Sequence, residues 1–100
     1  MINVENNGAN IEIKGLVMNG KERTATLYKR MTDSNGDIFY LYSIPELGIK
    51  LSEVIAQSPE NAVAEVLHTI RARMESIVED AKANIELLDE KVTMREVVIK

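Results

Sequence analysis

The feature that most constrains this chain is a helix start at Ser58-Pro59-Glu60-Asn61, followed by neither Gly nor Pro to the last residue. Ser58 suits an N-cap, where its hydroxyl accepts from a free amide of the first turn. Pro59 suits the first helical position, where a missing N–H costs nothing. Glu60 places negative charge at the positive end of the helix dipole. With Val63 set at zero and residues stepped at 100°, Val66, Leu67, Ile70, Met74, Ile77, Val78, Ala81, Ile85, Leu88 and Val92 all fall within about 60° of it. Glu65, His68, Glu75, Glu79, Glu86 and Glu90 fall opposite. The spacing predicts an amphipathic helix over 58–90 with an acidic back.

The segment before it reads as a β-meander over 10–57. Asn10 to Val17 alternates, with Ile11, Ile13 and Val17 on one face and Glu12, Lys14 and Leu16 on the other, as in a half-buried strand. Asn19-Gly20 is a strong hairpin signal, since both residues tolerate positive φ. Glu22 to Met31 reads as a second strand, rich in Thr and Tyr. Asp33-Ser34-Asn35-Gly36-Asp37 is a turn, Ile38 to Ile44 the most β-prone run, and Pro45-Glu46-Leu47-Gly48 another turn. Ile49-Lys50-Leu51 opens a short fourth strand or an extended lead-in. Residues 1–9, with Asn6-Asn7-Gly8, read as a loose terminus. The tail, 91–100, fits a second short helix capped at Thr93, a strand, or continuation of the long helix.

The fold class expected is therefore α+β, a single domain. It has a three- to four-stranded antiparallel sheet followed by one long amphipathic helix packed on one face. Alternation assigns Ile11, Ile13, Ala25, Leu27, Phe39 and Leu41 to the inner face. Lys14, Thr24, Thr26, Tyr28, Arg30, Tyr40 and Tyr42 go to the outer face, and a one-residue slip in any strand reverses its part of that division.

Lengths do not match. A helix of about 30 residues is roughly 45 Å long, whereas a strand of about seven residues spans roughly 23 Å. A small sheet covers half of the apolar stripe, and the part from Ile77 to Val92 needs another cover. A break near Asn84 with fold-back, a returning tail, or a second chain would supply it. Val63, Leu67, Ile70, Met74, Ile77, Ala81, Asn84 and Leu88 alternate spacings of four and three, a heptad seam with one polar member. A homodimer is expected, with Ile77, Ala81, Ile85 and Leu88 as its dimerisation residues.

Composition bounds the function. The 100 residues include no cysteine, which excludes disulfides and cysteine-based metal sites. No apolar run is long enough to cross a membrane, and the first residues lack the pattern of a signal peptide, so a cytoplasmic location is expected. The net charge is −4. Residues 1–50 hold six acids and six bases, and residues 51–100 hold ten acids and six bases. The second half carries the whole excess, and the total charge does not favour a sequence-independent grip on nucleic acid.

Motifs for catalysis are weak. His68 is the only histidine and lies on the polar side of the helix without an i, i+4 ligand partner. Glu75, Glu79, Glu86 and Glu90 form an acidic stripe, which suits an ordinary solvated helix face or a docking surface for a basic partner. Ser34-Asn35-Gly36-Asp37 shares only composition with a calcium loop, and the glycines form no phosphate cradle. No enzyme activity, cofactor or metal is expected. Tyr28, Arg30, Tyr40 and Tyr42 form the candidate partner-binding site. Tyrosine and arginine on one sheet face suit a protein hot spot, and tyrosines with Lys29 and Arg30 also suit base stacking in single-stranded nucleic acid.

A meander followed by one long helix resembles the single-stranded nucleic-acid binders that pair through their helices, although the tyrosines here do not form an RNA-recognition signature. In size, mild acidity and lack of catalytic residues the chain resembles small inhibitors encoded by phages and mobile elements, anti-CRISPR proteins among them. That resemblance implies a non-enzymatic regulatory or inhibitory factor acting on a host protein. The alternative is a dimeric single-stranded nucleic-acid-binding protein using the tyrosine and basic sheet face.

Overall fold

The computed structural model describes the backbone of residues 1–99 and the side chains of residues 1–88. The chain divides into two units, Met1–Thr69 and Ile70–Lys100. The first holds an antiparallel sheet in the order β1-β2-β3-β4-β5. Its strands are β1 (Asn3–Asn6), β2 (Asn10–Met18), β3 (Lys21–Thr32), β4 (Ile38–Ile44) and β5 (Ile49–Ala56), with a 3-10 turn at Pro45–Leu47. The helix α1 spans Pro59–Ile99, beginning in the first unit and continuing as the second.

The architecture is the expected α+β meander and helix, with five strands rather than three or four. The additional strand, β1, occupies part of the segment expected to be loose. The Asn-Asn-Gly turn organises it. Asn7 Oδ1 accepts from the amides of Ala9 at 3.2 Å and Asn10 at 2.7 Å, and Asn6 Oδ1 accepts from Gly8 at 2.9 Å. These local side-chain bonds close a turn that lays Asn3–Asn6 against Ile11–Lys14.

The β2–β3 connection is the two-residue hairpin that Asn19-Gly20 announces. Asn19 has φ 52° and Gly20 φ 73°, and Met18 pairs directly with Lys21. Two positive φ values in succession are the requirement of a type I′ turn.

Three irregularities in the ladder decide which residues face inward. Between Ile13 and Leu16, β2 advances three residues while β3 advances two, from Ala25 to Arg23. That is a β-bulge, and it turns the strand by one position. Leu16 and Met18 are therefore buried with Ile11 and Ile13, and Val17 is exposed, which reverses the expected places of Leu16 and Val17. Gly15 sits in the bulge at φ 84°, and a Cβ there would collide with the carbonyl of Met1. A second extra residue, Arg30, lies between Lys29 and Met31 of β3. A third irregularity sets Ile49 of β5 opposite Ile44 after Ser52 opposite Tyr42, so Ile49 is buried along with Val54 and Ala56.

The strand β4 is where the expected faces are corrected. Tyr40, Tyr42 and Ile44 are buried and belong to the inner face, while Phe39 and Leu41 belong to the outer. Nearly every position from Ile38 to Tyr42 is apolar or aromatic, so alternation there carries no sign. Tyr40 is only 2% exposed and is among the largest fully buried side chains.

The first turns of α1 close the inner face. The Ser58 hydroxyl accepts from the amide of Asn61 at 3.2 Å, and the Ser58 carbonyl accepts from Ala62 at 3.1 Å, the cap that the sequence suggests. Ala62 is 0% and Val66 1% exposed. The helix runs unbroken through Asn84 and through 91–99. Among the described residues no helix is long and apolar enough to cross a membrane.

Gly15→Ala is expected to destabilise the fold by about 1–3 kcal/mol, because it combines a left-handed φ with a backbone collision. Urea unfolding of the variant checks this, and an unchanged midpoint would contradict the role given to the bulge.

Candidate functional site

Two surfaces remain after the core is assigned, one in each unit. The first is the outer face of the sheet, which no other element covers in the first unit. Its centre is two cross-strand rows. Tyr28 of β3 pairs with Leu41 of β4, which pairs with Glu53 of β5. Beside it, Met31 pairs with Phe39, which pairs with Ile55. Directly opposed residues on a sheet share a face, so these six side chains form one patch. Tyr28 is 56%, Met31 51% and Ile55 48% exposed.

Charge on this face is internally paired. Arg30, displaced outward by its bulge, places Nη1 3.2 Å from Glu53 Oε2. Lys14 places Nζ 3.0 Å from Glu5 and 3.5 Å from Glu12. The hydrogen bond and charge of Glu5, with a smaller contribution from Glu12, hold the Lys14 ammonium above the ordinary lysine value. Exposed pairs of this kind add little stability. Their consequence is that these two cations on the outer face are already matched by carboxylates.

Of the expected partner-binding residues, the structure keeps Tyr28 and Arg30 on the outer face and places Tyr40 and Tyr42 in the core. The tyrosine platform is therefore not assembled. Phe39, Leu41 and Ile55, which the sequence reading did not assign to a site, stand beside Tyr28 instead. Ser43 carried the signal for this: an exposed serine on β4 shares its face with Leu41 and Phe39, which leaves Tyr40 and Tyr42 with Ile44.

The second surface is the helix of the second unit. Ile77, Val78, Ile85 and Leu88 are 46%, 52%, 58% and 60% exposed, and Ala81 is exposed between them. The expected dimerisation residues Ile77, Ala81, Ile85 and Leu88 thus lie open on one helix. His68 is exposed. The exposed Arg71 and Glu75 pair at 3.1 Å along the helix, as an i, i+4 pair on a solvated face does.

Elsewhere in the first unit, a polar cleft at the β3–β4 end contains Arg23 and Glu46, paired at 3.2 Å. A shallow apolar groove is lined by Val4, Ile11, Pro59 and Val63. Among the described residues no three His, Asp or Glu side chains converge as metal ligands do.

No protein-family model, no curated protein and no solved structure matches the chain.

Burial, and after it the carboxylate of Glu60, raise the Tyr40 phenol above its ordinary value. A folded-state pKa above the unfolded one means that the folded chain holds the proton more tightly. The resulting stability is complete below about pH 10 and is lost as pH rises through the folded value. Tyr40→Phe is expected to lose less stability than the parent between about pH 9 and about pH 11, measured by urea titration at each pH. Equal losses in the two proteins would contradict the assignment. The two faces also separate by truncation. Tyr40→Ala is expected to cost about 3–5 kcal/mol, as large core truncations do, and Tyr28→Ala to stay within about 0.5 kcal/mol.

Proposed function

We propose that this chain is a non-enzymatic protein-binding factor of regulatory or inhibitory kind, whose partner surface is the outer sheet face around Tyr28, Arg30, Phe39, Leu41 and Ile55. The observation that supports this reading is the pair of cross-strand rows Tyr28–Leu41–Glu53 and Met31–Phe39–Ile55, left uncovered. An aromatic and aliphatic centre containing Met and edged by an arginine is the composition of a protein interface core. Exposed aromatic area of this sort is otherwise a liability on a small sheet. The chemistry of the patch fits a protein partner presenting apolar side chains, with a carboxylate or a cation exchanging into the Arg30–Glu53 pair.

Base stacking on single-stranded nucleic acid is the weaker reading. It relied on three tyrosines in one face, and two of them are buried. Lys14 and Arg30 face carboxylates within 3.5 Å, which leaves the exposed Lys29 and lessens the positive charge that such binding uses. An origin in a phage or mobile element remains part of the proposal, supported by size and composition alone.

The test compares capture from host-cell extract by the parent chain and by Tyr28→Ser/Ile55→Lys, two changes at exposed positions. The parent is expected to retain a protein in fixed stoichiometry that survives nuclease treatment, and the variant to lose it at unchanged circular dichroism. Retention of the same protein by both would overturn the assigned surface. Loss of the captured material on nuclease treatment would favour the nucleic-acid reading.

A further inference from the structure

We propose that residues 74–88 of α1 pair with the same residues of a second copy, as a parallel, in-register, two-stranded coiled coil. The proposal rests on the second unit by itself and is independent of what the sheet binds.

The second unit consists of one helix. A helix with an apolar stripe gains most of its stability from packing that stripe, not from propensity. Three covers were open in principle. The helix is continuous at Asn84, so it does not fold back there. It also takes in 91–99, the segment whose return was the second option. Of these three, a separate chain is the one that the continuous helix leaves open.

The residue types point to a copy of the same chain. Heptad positions a and d recur at alternating steps of three and four. Starting from Met74 at d, the steps place Val78 and Ile85 at a, and Ala81 and Leu88 at d. The sequence repeats a β-branched residue at the a spacing again at Val92 and Ile99. β-branched residues at a, with Leu at d, favour parallel pairs of two strands; here the a positions are β-branched and the apolar d positions are Met74, Ala81 and Leu88. The next d position is Arg95, so the uninterrupted apolar repeat runs from Met74 to Val92, about two and a half heptads, short of the length at which such a pattern is diagnostic by itself.

This seam differs from the one that the spacing from Val63 suggests. Ala62 and Val66 are the turns buried in the first unit, and the Met74–Leu88 set is centred about a quarter turn round the helix from them. Asn84 moves from the seam to its g flank. There it cannot set register as a seam asparagine does. Ile77 occupies the preceding g position, opposite the e position of the next heptad in a parallel pair. That position is Lys82, whose aliphatic stem can lie along Ile77 with its ammonium in water. The arrangement places no carboxylate opposite a carboxylate at this step.

The test uses the absence of cysteine from the sequence. Single variants Ala81→Cys and Leu88→Cys place a thiol at two d positions, and Ala83→Cys places one on the opposite, outward side. In a parallel in-register pair each d residue meets its own copy, close to the Cβ separation of about 4 Å that a disulfide needs. Both d variants are expected to form disulfide-linked dimers under mild oxidation, and the Ala83 variant to remain reduced. The unmodified protein is expected to sediment at twice 11.2 kDa, and Ile85→Glu at the single mass with its strand signal intact. Linkage at only one of the two d positions would indicate an antiparallel pair and overturn the proposal. Equal linkage in all three variants, or sedimentation of the parent as a monomer, would overturn it as well.

Discussion

Everything in the first unit depends on the contact between the inner face of the sheet and the first three turns of α1. Ile11, Ile13, Leu27 and Tyr40 lie on one side of it, and Ala62 and Val66 on the other, all buried to within a few per cent of completely. Ala62 is fully buried, and so small a side chain lets a helix approach a pleated surface closely. No charged side chain is buried there among the described residues, so the contact is held by apolar burial and by the Ser58 cap that starts the helix in place. A chain of this size has a limited core, and this one uses only the beginning of its helix to build it.

The rest follows from that economy. A meander packed on one side leaves its other side in water, and the outer face here is not the polar surface that such a face usually is. The helix of the second unit leaves an apolar stripe with no partner in its own unit. These two surfaces differ in character. The sheet patch is aromatic, irregular and edged by matched charges, as suits recognition of a different molecule. The helix stripe is aliphatic and periodic, as suits pairing with itself. A pair of chains would also present two sheet patches, and two linked contacts raise apparent affinity without any new interaction.

Much of this was legible in the residues. The Ser58-Pro59 start, the Asn19-Gly20 turn and the inward set Ile11, Ile13, Ala25 and Leu27 follow from capping, positive φ and alternation, and all three are found. What alternation does not carry is a change of phase. The bulge at Gly15 moves Leu16 into the core and Val17 out of it. The run from Ile38 to Tyr42 is apolar on both faces, so the side of Tyr40 and Tyr42 was set by register with β3 and by Ser43. That one slip dismantled the expected tyrosine site and put Phe39 and Leu41, both half-buried, on the outer face in its place. The strand β1 is not legible in the residues because Asn3–Asn6 is polar and short, and its pairing depends on a turn built from asparagine side chains. The mismatch between helix and strand lengths was legible in the residues, and α1 is continuous past Asn84 and through 91–99.

In the proposed dimer the second half of α1 is held by another chain and not by its own unit. Amide hydrogen exchange read across a dilution series tests this most directly, because exchange reports local opening segment by segment. Protection across 74–88 is expected to fall as the protein is diluted, while protection in β2 and β3 stays constant. Protection across 74–88 that is the same at every concentration, in a protein that is monomeric throughout, would contradict it.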